Sequence, residues 1–356
     1  MHSEVSLRSR HGRFGLWLIG CLLATAFPVS AMAEPAACDR GVTPEHDLQA
    51  TLDQLPDDDS RQVLCLGSGE FQLDSMVTLT RNNTILRGEG RDKTVLKMKD
   101  GVSSPVLVLG DAMHQQPSRK IQNVQVESLA IRGGGESDSE FFADLPYLSN
   151  SALVVRQGED IVLRDLDVRD CRSACVLTEY HSRDVRIENN HISHAQWDGV
   201  SLNRAGPTAL VGNTIRDNVA AGLTVEYLQS SEIRDNVIAD NGSHGMYLAD
   251  AEHNDFSNNQ IENNGMAGVF LTCSVRERDP VLCWDNSFSR DNTFTDNRFN
   301  HNRFGYQIAV DDAANCLGRQ TPPNVSRGDT FKNSPNEEPA WDRFGRCIAF
   351  EGSKTL

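Results

Sequence analysis

A repeat of 23 residues runs through the middle of the chain and limits the folds open to it. Its markers are four evenly spaced glycines: Gly199, Gly222, Gly245 and Gly268. Ala152 and Cys175 continue the series towards the N terminus, with steps of 23 and 24 residues. Apolar residues follow each marker at every second position. This period of two predicts a strand with one buried face.

A strand this short cannot bury its apolar side alone, so each repeat has to stack on the next. Two further kinds of column recur in the same register. The isoleucines are Ile192, Ile215, Ile238 and Ile261; the asparagines are Asn190, Asn213, Asn236 and Asn259, and then Asn218, Asn241 and Asn264. Asparagine suits corners because it tolerates left-handed backbone and bonds to nearby amides. The sequence therefore predicts an all-β fold, a right-handed parallel β-helix that advances about 4.8 Å per repeat with two or three strands per turn.

Less regular segments extend the coil in both directions and set the predicted bounds. Residues 61–312 form the coil. Residues 34–60 form an N-terminal cap, which is helical in pattern between Cys38 and Leu55 because Leu48 and Leu52 share one side with Leu55. Residues 313–356 form a tail that is pinned by cysteines, and we expect it to cover the open end of the coil.

The first 33 residues have the pattern of a secretory signal. A basic start is followed by the apolar run Phe14 to Val29 and by small residues at Ala31 and Ala33. We predict cleavage after Ala33 and a periplasmic or secreted protein. A lipoprotein anchor at Cys21 is the less favoured alternative, because the apolar run continues past that cysteine.

Eight cysteines remain after the signal, an even number for an oxidising compartment. They fall into couples that are close in sequence: Cys38 with Cys65, Cys171 with Cys175, Cys273 with Cys283, and Cys316 with Cys347. We expect four local disulfides. Metal binding is the alternative, but no couple has the short spacing of a zinc site or a histidine partner.

The formal net charge is −16, and the exported chain is more acidic because the signal contains three arginines and one glutamate. This sign argues against nucleic acid as a partner. An acidic polysaccharide requires either a local basic patch or a bound cation. Calcium held by carboxylates such as Asp250 and Glu226 is one such cation. No later segment is apolar enough to span a membrane, and we expect a monomer.

The chain resembles the bacterial right-handed β-helix proteins of the pectate lyase superfamily. The resemblance is carried by Glu70-Phe71, Thr84 to Gly90 and Thr94 to Leu96, followed by the glycine and asparagine columns, and it covers roughly residues 40 to 312. It implies the fold. For activity it implies a lyase, hydrolase or epimerase acting on a polysaccharide, or a protein without chemistry.

Two insertions interrupt the repeat, at Gly134 to Asn150 and at Ser274 to Arg290. Both flank the face formed by the strands that start at the markers. Insertions on one face of a repeat protein commonly wall its binding surface. Five steps separate these walls, about 24 Å at the strand spacing.

The outward residues of that face are the candidate site. The predicted catalytic residues are Arg204, Tyr227, Glu226, Asp250, His181 and Glu179, and the predicted substrate-binding residues are Tyr180, Asn203, Tyr247, Trp197 and His244. An ordinary solvated surface is the alternative for each of them.

Three functions fit this set. Proton abstraction beside a uronate carboxylate, as in a lyase or C5-epimerase, needs a neutralising cation such as Arg204 and a proton carrier such as Tyr227 or His181. Inverting hydrolysis needs two carboxyl groups, and Glu179 and Glu226 lie about 9 to 10 Å apart by strand spacing. A non-catalytic periplasmic protein that binds glycan or assists metal assembly needs neither arrangement.

One stretch also resembles the start of the mannuronan epimerase signature. In that signature a tyrosine is followed three places on by aspartate and then by Pro-His. Here Tyr247 and Asp250 have this spacing, but Ala251 and Glu252 come next, and the histidine is one place late at His253. We favour a lyase or epimerase over a hydrolase.

Overall fold

The structure is a computed structural model. It describes residues 36–56, 58–134, 140–278, 280–284, 287–308, 316, 322–338 and 346–356. The predicted signal segment and parts of the predicted tail lie outside these residues. No helix in the described part of the chain is long and apolar enough to cross a membrane.

Three parallel sheets form the coil, and the chain visits them in the same order in each turn, so each regular turn has three strands. The first sheet contains Arg40–Val42, Gln62–Leu66, Thr84–Gly88, Ile121–Glu127, Gly158–Arg164, Arg183–Glu188, Thr208–Val211, Glu232–Arg234, Asp255–Ser257, Thr293–Thr295, Asn324–Arg327 and Ile348–Glu351. The second contains Gly69–Leu73, Thr94–Met98, Ala130–Arg132, Asp167–Arg169, His191–Ser193, Thr214–Arg216, Val237–Ala239, Gln260–Glu262, Arg298–Asn300, Thr330–Lys332 and Lys354–Thr355.

The third sheet follows the marker residues. Its strands are Val77–Leu79, Leu107–Leu109, Leu153–Arg156, Val176–Glu179, Val200–Ala205, Leu223–Gln229, Met246–Glu252, Ala267–Thr272 and Phe304–Ile308. Two antiparallel hairpins stand outside the coil: Phe141–Phe142 with Leu145–Ser149, and Val275–Arg278 with Val281–Cys283. The prediction of a right-handed parallel β-helix is confirmed.

The core lies inside the coil, where side chains of one register position stack from turn to turn. Leu202 pairs with Val225 and Val225 with Leu248 in the third sheet, and all three are buried. Their neighbours at the alternate position, such as Thr224, are only half-buried. The predicted alternation and register of these strands are therefore confirmed.

Buried side-chain amides form ladders at the corners of the coil. Both predicted asparagine columns are ladders of this kind. In the column between the first and second sheets, the Asn213 backbone N–H and side-chain amide both donate to Asn236 Oδ1, at 2.9 and 3.0 Å. Asn236 Nδ2 in turn donates to Asn259 Oδ1 and to the Leu210 carbonyl.

A third ladder stands at the corner between the third and first sheets. It runs through Ser231, Asn254, Asn292 and Asn324. This ladder does not show as a regular asparagine column in the sequence, because its first member is serine and the second insertion separates Asn254 from Asn292.

Asn236→Ala should destabilise the coil by about 2–4 kcal/mol, since it removes the acceptor of the buried Asn213 N–H and the side-chain donor to the Leu210 carbonyl. Denaturant unfolding measures this. Gln260→Ala, an exposed strand position of the second sheet, is the control and should change stability by no more than about 0.5 kcal/mol. Equal effects would show that the ladder contributes nothing beyond an ordinary surface residue.

The N-terminal segment is less helical than its pattern predicts. Arg40–Val42 is a strand that pairs with Gln62–Leu66, so the first sheet begins before residue 61. The helix is confined to Leu48–Asp53 and buries Leu48 and Leu52. Gln49 accepts a hydrogen bond from the Thr78 N–H and donates to the Thr78 carbonyl, on the first strand of the third sheet. That this segment caps the coil stays a prediction.

The coil also continues past residue 312, where the sequence bounds ended it. Asn324–Arg327 pairs with Thr293–Thr295 and with Ile348–Glu351, so two further strands join the first sheet. The second sheet gains two strands as well. The predicted end of the coil at residue 312 was wrong, because the spacing between strands there no longer follows the repeat of 23 residues.

All four predicted disulfides are present. They join Cys38 to Cys65, Cys171 to Cys175, Cys273 to Cys283 and Cys316 to Cys347. This pairing is typical of proteins that fold outside the reducing cytoplasm.

A buried carboxyl group ends the first asparagine ladder. Asp329 accepts hydrogen bonds from the Asn297 backbone at 2.7 Å, from the Tyr306 hydroxyl at 2.7 Å and from the Ser326 hydroxyl at 2.5 Å. Burial raises the pKa of Asp329 above its usual value in spite of these donors.

The raised pKa fixes the sign of a pH effect. Neutral Asp329 contributes to folding stability. This contribution is complete below the pKa that Asp329 has in the unfolded chain, and it is lost as the pH rises through the folded-state pKa. Asp329→Asn should therefore be more stable than the wild type at pH 7, with a difference that shrinks towards pH 4. Melting curves across this range test it; a variant that is less stable at pH 7 would contradict it.

Candidate functional site

The candidate site is the outer face of the third sheet. Ser201, Thr224, Tyr247 and Phe270 occupy one outward column on successive strands, as predicted. A second outward column holds Asn203, Glu226, Ala249 and Thr272. We call the open surface over the strands Val200–Ala205 to Ala267–Thr272 the groove.

The first insertion lies on this face rather than beside it. Its hairpin packs Leu148 onto Val108, Val154 and Leu177, which are outward residues of three earlier strands. The predicted distance of five steps between the walls is therefore too long. The groove spans three steps, about 14 Å at the strand spacing.

The second insertion bounds the other end. The Cys273–Cys283 disulfide ties its hairpin to the end of the strand Ala267–Thr272. The returning segment bonds Asp250 through Ser287 and the Phe288 backbone. Burial, and then the charge of Glu252, raises the pKa of Asp250.

The column at the end of these strands has unusual backbone. Tyr180, Arg204, Tyr227 and Asp250 have φ values of 56°, 47°, 65° and 57°. Most other non-glycine residues with positive φ in this chain are Asn or Asp. Tyrosine and arginine pay a steric cost there, and such residues cluster at functional sites.

Three predicted catalytic side chains lie free in the groove. Arg204, Glu226 and Tyr227 are exposed, Tyr227 by 37%. Among the described residues none of the three has a side-chain hydrogen bond or ion pair. Arg204 and Tyr227 lie opposite each other on adjacent strands, because Asn203 pairs with Glu226 and Ala205 with Leu228. Asn203 lies beside them, half-buried.

Glu179 and Tyr180 both contact the buried side chain of Arg156. The Arg156 side chain is fully buried, and its Nε donates to Glu179 Oε1 at 2.5 Å. Its other nitrogens donate to carbonyls of the loop that includes Asp111 and Gln115, and its guanidinium lies over the Tyr180 ring, 4.9 Å from the centroid. Burial raises the pKa of Glu179, and Arg156 opposes that rise.

Removing Arg156 should leave the Glu179 carboxylate buried without a partner. Arg156→Met is expected to cost about 3–5 kcal/mol of folding stability. Glu179→Gln should cost less, since the amide oxygen still accepts from Arg156. Thermal melts measure both. If Arg156→Met melts like the wild type, the ion pair is not structural and Glu179 returns as a catalytic candidate.

The binding candidates His244 and Tyr247 belong to an aromatic group, whereas the binding candidate Trp197 and the catalytic candidate His181 are exposed. The His244 ring stacks on Phe270 with centroids 4.7 Å apart, and Tyr247 lies 5.2 Å from Phe270. Desolvation lowers the pKa of His244 to about 4. His181 is exposed after Tyr180, and Trp197 is 50% exposed in the turn before Gly199.

Asp198 was missed by the sequence reasoning. It lies directly before Gly199, is 4% exposed, and its Oδ1 accepts from the Ala221 N–H at 3.0 Å. Burial, together with the charges of Glu226 and Glu140, raises the pKa of Asp198 to about 6, while hydrogen bonds from Ala221 and Thr224 oppose the rise. The available signal was that neighbouring repeats have alanine at this position: Ala174, Ala221 and Ala267.

Calcium held by Asp250 and Glu226 stays a prediction, because the described side chains gather no such site. Asp250 bonds to Ser287 and lies near the charge of Arg290, whereas Glu226 extends from the adjacent strand. In the part of the chain that the structure describes, no group of three or more acidic, histidine or cysteine side chains is placed to hold a metal ion. We therefore derive no chemistry through calcium.

This arrangement defines a parallel β-helix with a walled groove on one sheet. The sequence matches the family model of the right handed beta helix region over residues 111–230 and 151–337, and the chain belongs to that family. A search of curated proteins gives no significant match.

Solved structures share the fold at low identity. An alginate lyase from Paenibacillus sp. str. FPU-7 has a TM-score of 0.58 at 12% identity, covering 88% of this chain and 98% of its own. A mannuronan C-5 epimerase A-module from Azotobacter vinelandii has 0.55 at 14%, covering 86% and 94%. The catalytic domain of an alpha-1,3-glucanase has 0.54 at 10%, covering 92% and 71%. Such identities show the fold alone.

Proposed function

We propose that this protein is an exported enzyme that acts on a polysaccharide lying along the groove, as a uronate lyase or C5-epimerase. The observation that carries the proposal is the free pair Arg204 and Tyr227 on adjacent strands. The fold supports it, since β-helix proteins named as alginate lyase, mannuronan epimerase and glucanase share this architecture. The four disulfides support export to a periplasmic or extracellular location.

The two side chains suit proton abstraction beside a carboxylate. A sugar carboxylate withdraws electrons from C5 only when its charge is neutralised, and a guanidinium does this in a planar, two-pronged contact. Tyr227 lies about 4.8 Å along the coil from Arg204, at the strand spacing. Its phenol is therefore in reach of the C5 hydrogen of a sugar held by Arg204.

The groove length also suits a chain of sugars. About 14 Å of open sheet holds roughly three rings, and the hairpins close the sheet at both ends. Half-buried aromatic rings at Tyr247 and Phe270 offer faces for stacking on a sugar.

Arg204→Ala and Tyr227→Phe should each lower turnover of a uronate polymer by at least about 100-fold, with melting temperatures nearly unchanged. Absorbance of the unsaturated product measures elimination, and proton exchange at C5 measures epimerisation. The matched controls are Arg216→Ala and Arg234→Ala, which remove surface arginines of the second and first sheets. They should keep full activity.

Retained activity in both site variants would place the chemistry elsewhere. A glycan that binds without turnover, and whose binding the same variants abolish, would favour the non-catalytic glycan-binding function. Hydrolysis by Glu179 and Glu226 has less support, because Glu179 is paired with the buried Arg156.

A further inference from the structure

We propose that Asp198 is the catalytic group that protonates the leaving glycosidic oxygen, so that the protein cleaves its polysaccharide rather than epimerising it. This inference rests on the proposed action on a polysaccharide in the groove. It adds a residue and selects between the two reactions.

The fold does not require a carboxyl group at this position. Asp198 belongs to the column directly before the markers, where Ala174, Ala221 and Ala267 fill the same place with a methyl group. A buried carboxyl group costs free energy that a methyl group does not. Its presence at one turn of the coil, next to the groove, is typical of a functional group.

Its contacts direct the carboxyl group towards the reacting side chains. Thr224, on the outward column, donates to it, and the Ala221 N–H holds its Oδ1 at 3.0 Å. Thr224 is two residues from Glu226 on one strand, about 7 Å at the strand rise. Asp198 therefore lies within one sugar ring of Glu226 and of the neighbouring Tyr227.

The charges facing Asp198 favour its protonated form. Glu226 acts on it from the adjacent strand and Glu140 from the first hairpin, and both are carboxylates. None of the largest effects on the pKa of Asp198 comes from a cation among the described residues. A carboxyl group that is buried and faces like charges keeps its proton into the mildly acidic range, as a general acid must.

The proposed step balances in protons and electrons. The base takes the proton from C5, and the C–H electron pair forms the double bond between C4 and C5. The bond from C4 to the glycosidic oxygen breaks, and its electron pair stays on that oxygen. Asp198 gives its proton to this oxygen, becomes a carboxylate and is reprotonated from water. Epimerisation breaks no glycosidic bond and needs no such donor.

The test is Asp198→Asn, which keeps the acceptor for the Ala221 N–H and removes the acidic proton. Turnover of a polyuronate should fall by at least about 100-fold while KM and the melting temperature change little. Wild-type turnover should decline as the pH rises above about 6, the pKa of Asp198.

Two further variants should shift the pH at which turnover declines while leaving the Asp198 carboxyl group in place. Glu140→Gln removes a like charge and should shift the decline to lower pH, with the maximal rate preserved. Thr224→Val removes a hydrogen bond that lowers the pKa, and it should shift the decline to higher pH. A purely structural role for Asp198 predicts neither shift.

The outcomes separate this inference from the proposed function. Wild-type protein that epimerises without cleavage leaves the proposed function standing and overturns the role of Asp198. Cleavage that survives Asp198→Asn overturns it too. A carboxyl carbon of Asp198 that titrates near 4 by NMR does the same, even before a substrate is known. A wild type without any action on glycans ends both proposals.

Discussion

Hydrogen bonds between stacked corner side chains hold this molecule in register. In each ladder an Asn oxygen accepts from the backbone of the turn before it, as Asn259 does from Asn236 at 3.1 Å. The ladder fixes the corner of every turn at the same angular position, and the three sheets follow from that. It also explains how the coil carries insertions. Asn254 and Asn292 are 38 residues apart in sequence but make the same bond, at 3.2 Å, as neighbours separated by 23.

The residues with left-handed backbone beside the groove differ from those elsewhere in the coil. At other corners the left-handed residue is most often Asn or Asp, which tolerate that conformation at low cost. At the end of the third-sheet strands the same conformation is held by Arg204 and Tyr227. The ladders through Asn218 and Ser231, at the two corners of the third sheet, oppose relaxation of this strain. The backbone thereby fixes the direction of two long side chains that have no side-chain hydrogen bond or ion pair among the described residues.

Features that depend on periodicity could be predicted from the sequence. The strand register around Val225, the ladder through Asn236 and the four disulfide couples all follow from spacing. Features that depend on non-periodic contacts could not. Nothing in the spacing shows that Arg156 is buried against Glu179, or that Leu148 packs its hairpin onto earlier strands of the third sheet. The Asp198 exception was visible as a break in an alanine column, but its meaning needed its burial and its neighbours.

Protonation of Asp198 reduces the negative charge of the groove. A strongly acidic protein repels a polyuronate, and Arg204 is the one groove cation without a partner among the described residues. A second ionised carboxylate beside Glu226 would add to that repulsion at short range. Protonation of Asp198 below about pH 6 removes one of these charges. The proton that Asp198 would donate in a cleavage step therefore also reduces the electrostatic repulsion between the groove and an anionic sugar bound at Arg204. Binding and catalysis would then weaken together as the pH rises, because both depend on the protonation of one buried carboxyl group.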